Sequence, residues 1–137
     1  MSCLFCRIAA GEVEALRVAE DAHCVAFLDH RPLFPGHVLL VPRAHVPSLA
    51  ELPDDLLAPL MRWTRELSLA VEAALSAEGT FVAVNNKVSQ SVPHLHVHVV
   101  PRRRGDGLKG FFWPRHPYRD AAHAEETRAA IAAAMRG

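Results

Sequence analysis

The sequence lacks a surplus of either charge. Its 15 basic and 15 acidic residues cancel over 137 positions, which argues against bulk electrostatic binding to nucleic acid or to an anionic membrane. No stretch approaches 18 consecutive apolar residues, so a membrane-spanning helix is not expected. The first residues, MSCLFCRIAAGEVE, lack the basic, apolar and small-residue order of a secretory signal, so a cytoplasmic protein is expected. Cysteine is scarce and odd in number, at Cys3, Cys6 and Cys24, which speaks against a disulfide framework. There is no internal repeat or low-complexity linker, and the length suits one globular domain with room for a single core.

What is present in excess is histidine, with nine residues. Residues 24–29 and 37–42 read as two short buried strands joined by a loop with Pro32, Pro35 and Gly36. From 54 to 78 the apolar residues Leu56, Leu60, Trp63, Leu67, Val71 and Leu75 recur at helical steps, with Gly79 as a stop and Pro59 pointing to a start later than Asp54. Residues 80–85 are a β-branched run, and 94–101 (HLHVHVVP) alternate with period two. Residues 121–135 suit a C-terminal helix. Hairpin, helix and two further strands do not repeat as βαβ units, so the expected class is α+β with an antiparallel sheet. Residues 102–119 carry a net charge of +5.

In a strand covering 94–101, His94, His96 and His98 share one face while Leu95, Val97 and Val99 share the other. Three alternating imidazoles could bind a metal, or one could serve as a nucleophile supported by its neighbours. Spacing alone leaves both open. Cys3 and Cys6 have the two-residue spacing of a zinc knuckle, and they need two further ligands. A redox role for the pair is weaker, since no strand precedes it and no helix clearly starts on it. Cys24 reads as a small buried apolar residue.

The segment SQSVPHLHVHVVPR (89–102) resembles the histidine triad (HIT) family, whose signature is His-φ-His-φ-His-φ-φ with φ apolar. The likeness continues through CLFCRI (3–8), VAFLDHRPLFPGHVLLVPRAH (25–45) and VAVNN (82–86), covering roughly residues 3–105. KGFFWPR (109–115) looks more like the diadenosine polyphosphate hydrolase branch than the short phosphoramidase branch. The resemblance implies an antiparallel sheet of about five strands with one long helix and a C-terminal helix. It implies one HIT domain over 1–137: zinc knuckle and hairpin 1–45, helix 54–78, catalytic strands 80–101 and a basic aromatic segment 102–137.

By resemblance, His96 attacks the α-phosphate of a purine nucleotide and forms a covalent nucleotidyl-imidazole that water hydrolyses. Neutral imidazole suits this step because one ring nitrogen is free near pH 7. His98 contacts phosphate, His37 sits behind it, and Gln90 and Ser91 line the polar loop near the leaving group. A loop-closing hydrogen bond is the structural alternative for His37. Asp29 takes the ribose hydroxyls, and Leu4, Phe5, Ile8, Phe27 and Leu28 line the base pocket, although each could be plain core. Asn85 matches a polar position near the phosphates. Its loop is about two residues shorter than the commonest pattern, which leaves Asn85 and Asn86 as alternatives.

The resemblance also implies a structural zinc held by Cys3, Cys6, His45 and His94, while magnesium could enter with the substrate. It implies a homodimer, with Trp63 at the interface or in the core. Phe111, Phe112 and Trp113 offer a stacking surface or a subunit boundary. A nucleotidyl transferase or phosphorylase would use the same His96 intermediate. A zinc-stabilised nucleotide-binding protein without turnover is the alternative from another class.

Overall fold

A computed structural model describes residues 3–110 and 113–135. Two compact units divide between Asp106 and Gly107. The larger contains α1 (Leu4–Ala9), β1 (Arg17–Glu20), β2 (Cys24–Leu28), β3 (Val38–Pro42), a 3-10 turn (Leu49–Glu51), α2 (Asp54–Leu75), β4 (Gly79–Ala83) and β5 (Val97–Arg102). The smaller contains α3 (Ala121–Met135). The strands form one antiparallel sheet in the order β1-β2-β3-β5-β4. This is the expected α+β architecture of five strands, one long helix and a C-terminal helix.

The sheet is covered on both faces, so β2 and β3 read as continuous apolar runs rather than alternating ones. Cys24, Ala26, Val38, Leu40, Val97 and Val99 pack with Leu60, Leu67 and Val71 of α2. Val25, Phe27, Leu39 and Val41 point the other way and pack with Phe5 and Ile8 of α1. Fully burying one such side chain contributes about 1.5–3 kcal/mol, so these two layers fix the hairpin from both sides. Cys24 is an apolar member of the first layer, and burial pushes its thiol pKa up to about 11.

Several boundaries differ from expectation for identifiable reasons. The helix begins at Asp54 despite Pro59, with Asp54 and Asp55 at its positively polarised end. Pro59 removes only the donor that would serve the carbonyl of exposed Asp55. The helix ends at Leu75 rather than 78, because Ser76 adopts a left-handed backbone with φ 52°. The Glu78 amide then bonds the Arg102 carbonyl at 2.9 Å, so this segment already belongs to the sheet.

The expected strand 94–101 begins only at Val97, so His94 and His96 precede it. The β3–β5 ladder stops at Leu40 opposite Val97. Pro42 has no amide hydrogen with which to extend it, and its carbonyl accepts from the His94 ring at 2.8 Å. The Leu95 amide turns instead to the Val46 carbonyl at 2.6 Å.

The short α1, the exposed β1 and the 3-10 turn carry no periodicity that a sequence reading could find. A helix does start on Cys3, contrary to expectation, with Cys3 as its N-cap. Trp63 packs partly against the α2 layer and donates its indole N–H to Asp21 Oδ2 at 2.8 Å. Asp120 caps α3 by accepting the His123 amide at 2.8 Å.

Candidate active site

The antiparallel register sets Phe27 of β2 opposite Leu39 of β3, and Leu39 opposite His98 of β5. Directly paired residues share a face, so His98 lies on the α1 side of the sheet. His96, two residues earlier, lies against Phe5, with ring centroids 5.0 Å apart and edge to face. The His96 and His98 rings are also 5.0 Å apart.

The tautomer of His96 follows from its partner. Its Nδ1 lies 2.8 Å from the His94 carbonyl oxygen, which can only accept, so Nδ1 carries the hydrogen. Nε2 is left with its lone pair and has no hydrogen-bond partner among the described residues. His96 is only 5% exposed. Its orientation is fixed by main chain and by an aromatic wall.

A second chain of hydrogen bonds fixes His98. The Leu33 amide donates to His37 Nδ1 at 3.1 Å, so the hydrogen of neutral His37 sits on Nε2. That nitrogen is 2.9 Å from His98 Nδ1, which therefore accepts, and the hydrogen of His98 sits on its own Nε2. Burial lowers the pKa of both rings. His98, also opposed by His96 and His37, falls to about 4 despite the pull of Asp29. His98 is thus a neutral donor rather than an imidazolium at pH 7. Asp29, His37 and His98 cluster closely enough to hold a metal ion, but a ring nitrogen already donating a hydrogen bond has no lone pair for one.

Asp29 ends the β2 edge of this site. Its Oδ1 accepts the Arg31 amide at 2.9 Å, and its Oδ2 lies 3.7 Å from His37 Nε2. Phe5, Ile8 and Phe27 share its side of the sheet, and Leu4 is 41% exposed on α1. Leu28 does not join them, because it packs against the α2 layer on the opposite face. Strand alternation requires this, since Phe27 and Asp29 flank it.

The polar loop is more structural than expected. Gln90 donates to the Pro47 carbonyl at 2.7 Å and accepts the Lys87 amide at 2.9 Å, so both ends of its amide brace the loop. Asn86 accepts the Leu49 amide at 2.8 Å. Asn85 and Ser91 are exposed and have no hydrogen bond among the described residues. Lys87 and Ser89 take positive φ, at 71° and 58°, where the short loop turns.

Beside the histidines, Cys3 Sγ, Cys6 Sγ, His45 Nδ1 and His94 Nδ1 converge within 4.8 Å of one another. His94 Nδ1 is 3.4 Å from Cys3 Sγ, 3.5 Å from Cys6 Sγ and 3.3 Å from His45 Nδ1; Cys6 Sγ is 3.3 Å from His45 Nδ1. Bond lengths of about 2.0–2.1 Å to nitrogen and 2.3 Å to sulfur in a tetrahedral zinc site place such atoms roughly 3.3–3.8 Å apart, so the donor set and its spacing fit. His94 donates its Nε2 hydrogen to Pro42, leaving Nδ1 free to ligate. Burial raises the pKa of the Cys6 thiol, and neighbouring Cys3 adds to the effect.

The basic segment after β5 is partly neutralised. Arg102 pairs with Asp106 at 2.7 Å, Arg103 bonds the Leu75 carbonyl, and Arg104 lies 3.8 Å from Glu78. Three of the expected surface charges therefore fasten the end of the sheet. Phe111 and Phe112 lie outside the described residues, and Trp113 belongs to the smaller unit at 58% exposure.

A HIT domain profile matches residues 10–105. The chain belongs to the HIT family. It is 39% identical over 126 residues to an uncharacterized HIT-like protein of Mycobacterium tuberculosis, covering 88% of each chain. It is 34% identical over 119 residues to adenosine 5'-monophosphoramidase hnt1 of Schizosaccharomyces pombe, covering 85% of this chain and 86% of the relative. Among solved HIT structures, a zinc-bound histidine triad family protein from Mycobacterium smegmatis superposes with a TM-score of 0.75. That pair is 35% identical, with 94% and 98% of the chains covered. Sequence reading missed the Leu33 amide and the Pro42 carbonyl, which act through main chain and leave no side-chain signal.

Proposed function

We propose that this HIT protein hydrolyses a bond at the α-phosphate of an adenosine nucleotide through a covalent nucleotidyl-His96. The observation that carries this reading is the His96 Nδ1 hydrogen bond to the His94 carbonyl. It leaves the Nε2 lone pair as the reactive atom, so no general base is needed. Nε2 forms a bond to phosphorus as the bond to the leaving group breaks. Water then attacks phosphorus, breaks the P–N bond and releases the nucleoside monophosphate, restoring the neutral ring. The Nε2 hydrogen of His98 stabilises charge on the phosphate oxygens. Phe5, Ile8 and Phe27 offer an apolar wall for the base, and Asp29 accepts the ribose hydroxyls.

Substrates of the form AMP–X, phosphoramidates among them, agree with the activity named for the fission-yeast relative. The diadenosine polyphosphate reading rests on 109–115, and the ion pairs of Arg102 and Arg104 leave it less positive surface. Cys3, Cys6, His45 and His94 would hold zinc, which fixes the His94 segment and takes no part in the reaction. Magnesium, if used, arrives with a polyphosphate substrate. The family domain with its basic extension forms one functional unit, acting as a homodimer in a reducing compartment such as the cytoplasm, where both thiols stay available.

The test is intact-protein mass spectrometry after brief incubation with an AMP phosphoramidate or with diadenosine tetraphosphate, quenched at alkaline pH, comparing wild type with His96→Ala. An adenylyl adduct and AMP release confined to wild type support the reading, and the faster substrate identifies the leaving group. A folded protein that binds AMP with neither adduct nor product overturns it in favour of a binding protein. Product made only with added phosphate identifies a phosphorylase.

A further inference from the structure

The Nε2 hydrogen of His37 has one hydrogen-bond acceptor and one nearby negative charge. His98 Nδ1 lies at 2.9 Å, and the Asp29 carboxylate oxygen Oδ2 lies at 3.7 Å. The other Asp29 oxygen is anchored by the Arg31 amide, and the Asp29 amide donates to the His37 carbonyl at 2.9 Å. The carboxylate is therefore held beside His37 by main chain at two points. Oδ2 accepts no hydrogen bond among the described residues and is the oxygen next to His37, which is one hydrogen bond away from His98.

We propose that Asp29 is a positioning residue that transmits occupancy of the ribose site to the hydrogen-bond donor His98. The inference rests on the nucleotide reading above and adds a direction of coupling to it. Without ribose, the uncompensated carboxylate charge 3.7 Å away pulls on the His37 hydrogen electrostatically and weakens its bond to His98 Nδ1. Ribose hydroxyls donating to Oδ2 draw off part of its negative charge, and the pull on the His37 hydrogen away from His98 weakens. An imidazole that accepts a stronger hydrogen bond at Nδ1 is a stronger donor at Nε2, because hydrogen bonds in a chain polarise one another. The donor that meets the phosphate is thereby strengthened when a ribose is in place.

Two further observations support this path. The charge of Asp29 acts on both rings, opposing the effect of burial on each. The Leu33 amide blocks the alternative, because it occupies His37 Nδ1 and keeps the mobile hydrogen on the side facing Asp29 and His98. Of the other titratable groups at this end, His96 faces His98 from the preceding segment. His30 Nδ1 lies 3.9 Å from Asp29 Oδ1 on the solvent side.

Imidazole 15N spectra of the full-length protein at pH 7 test the coupling, titrated with adenosine and separately with 2',3'-dideoxyadenosine. Neither ligand has a phosphate, so an effect at His98 arises through the nucleoside. The expected result is that adenosine moves the His98 Nδ1 resonance and dideoxyadenosine does not, and that Asp29→Asn abolishes the difference. With AMP phosphoramidates, removing both hydroxyls should lower kcat roughly three- to tenfold, the worth of one ordinary hydrogen bond, in addition to any rise in KM. Binding of adenosine and dideoxyadenosine with identical His98 spectra, or a loss confined to KM, overturns the coupling and leaves Asp29 a simple ribose holder. Failure of adenosine and AMP to bind at all overturns the nucleotide reading itself and this inference with it.

Discussion

The carbonyl oxygen of His94 accepts the Nδ1 hydrogen of His96 at 2.8 Å, while the ring of His94 turns its own Nδ1 toward Cys3, Cys6 and His45. One residue thus orients the His96 ring with its main chain and completes the Cys2His2 cluster with its side chain. The two sites are mechanically joined without sharing a ligand atom. The His94 carbonyl sets which nitrogen of His96 is free, and a metal held by the cluster would set where that carbonyl sits.

Replacing His96 by alanine removes the atom that would form the proposed covalent intermediate. Turnover should fall by at least about 10⁴-fold, while AMP binding changes little because the apolar wall and Asp29 remain. Steady-state rates together with calorimetric AMP titration check this. Residual activity within tenfold of wild type would contradict covalent catalysis by His96.

Metal removal should act on activity through geometry. Cys3→Ser or His94→Ala should lower zinc content below one ion per chain by elemental analysis, lower Tm, and reduce kcat about 10- to 100-fold. Cys24→Ala, in the α2 layer, should leave zinc content unchanged. If zinc is lost with activity intact, the joint between the two sites is absent.

Stability should depend on pH between about 6.5 and 4. Burial holds the folded pKa of His98 near 4, against a value of 6.5 for the free side chain, and lowers those of His37 and His94 as well. Between these limits the unfolded chain binds more protons than the folded one, so stability is full above 6.5, declines as pH falls, and levels off below 4. Solvent reaching the site screens the effect, leaving about 1–2 kcal/mol for His98. Urea unfolding at pH 7.5, 5.5 and 4.5 with metal-free protein reads it, and equal midpoints would exclude it.

Gly36 precedes His37 with φ +100°, and a methyl group there would strike Leu75 of α2. Gly36→Ala should cost about 1–3 kcal/mol, chiefly from the strained backbone, because the exposed Leu75 side chain can swing aside. The loop carrying the Leu33 amide would shift with it, so kcat should fall alongside Tm. A thermal melt within 2 °C of wild type would show that the loop yields freely.

Much of this was legible in the amino-acid order. Leu60, Leu67 and Val71 marked the α2 face, and the alternation around His96 picked out the histidines that gather on the α1 side. Cys3 and Cys6 pointed to a cluster, which the family resemblance completed with His45 and His94. The alternation misled at the start of β5, where Pro42 ends the ladder and His94 turns away toward Cys3, Cys6 and His45. Leu28 was misplaced among pocket residues because a sequence motif does not record which face a residue occupies. Gln90 looked catalytic by position, and what the sequence did not record is that its amide also braces the loop at Pro47 and Lys87. Leu33 could not be found at all, since its contribution is an amide hydrogen common to nearly every residue.

The two central strands have no solvent face. β3 is hydrogen-bonded to β2 and β5 and covered by α1 and α2 layers, so its amide protons can exchange with deuterium only when the whole sheet opens. The loop over 85–93 is exposed along most of its length, and its amides exchange through local openings. The floor beneath the histidines therefore keeps time with global unfolding while the rim above them runs on a faster clock. A product can leave across that rim without the catalytic nitrogens ever losing their alignment.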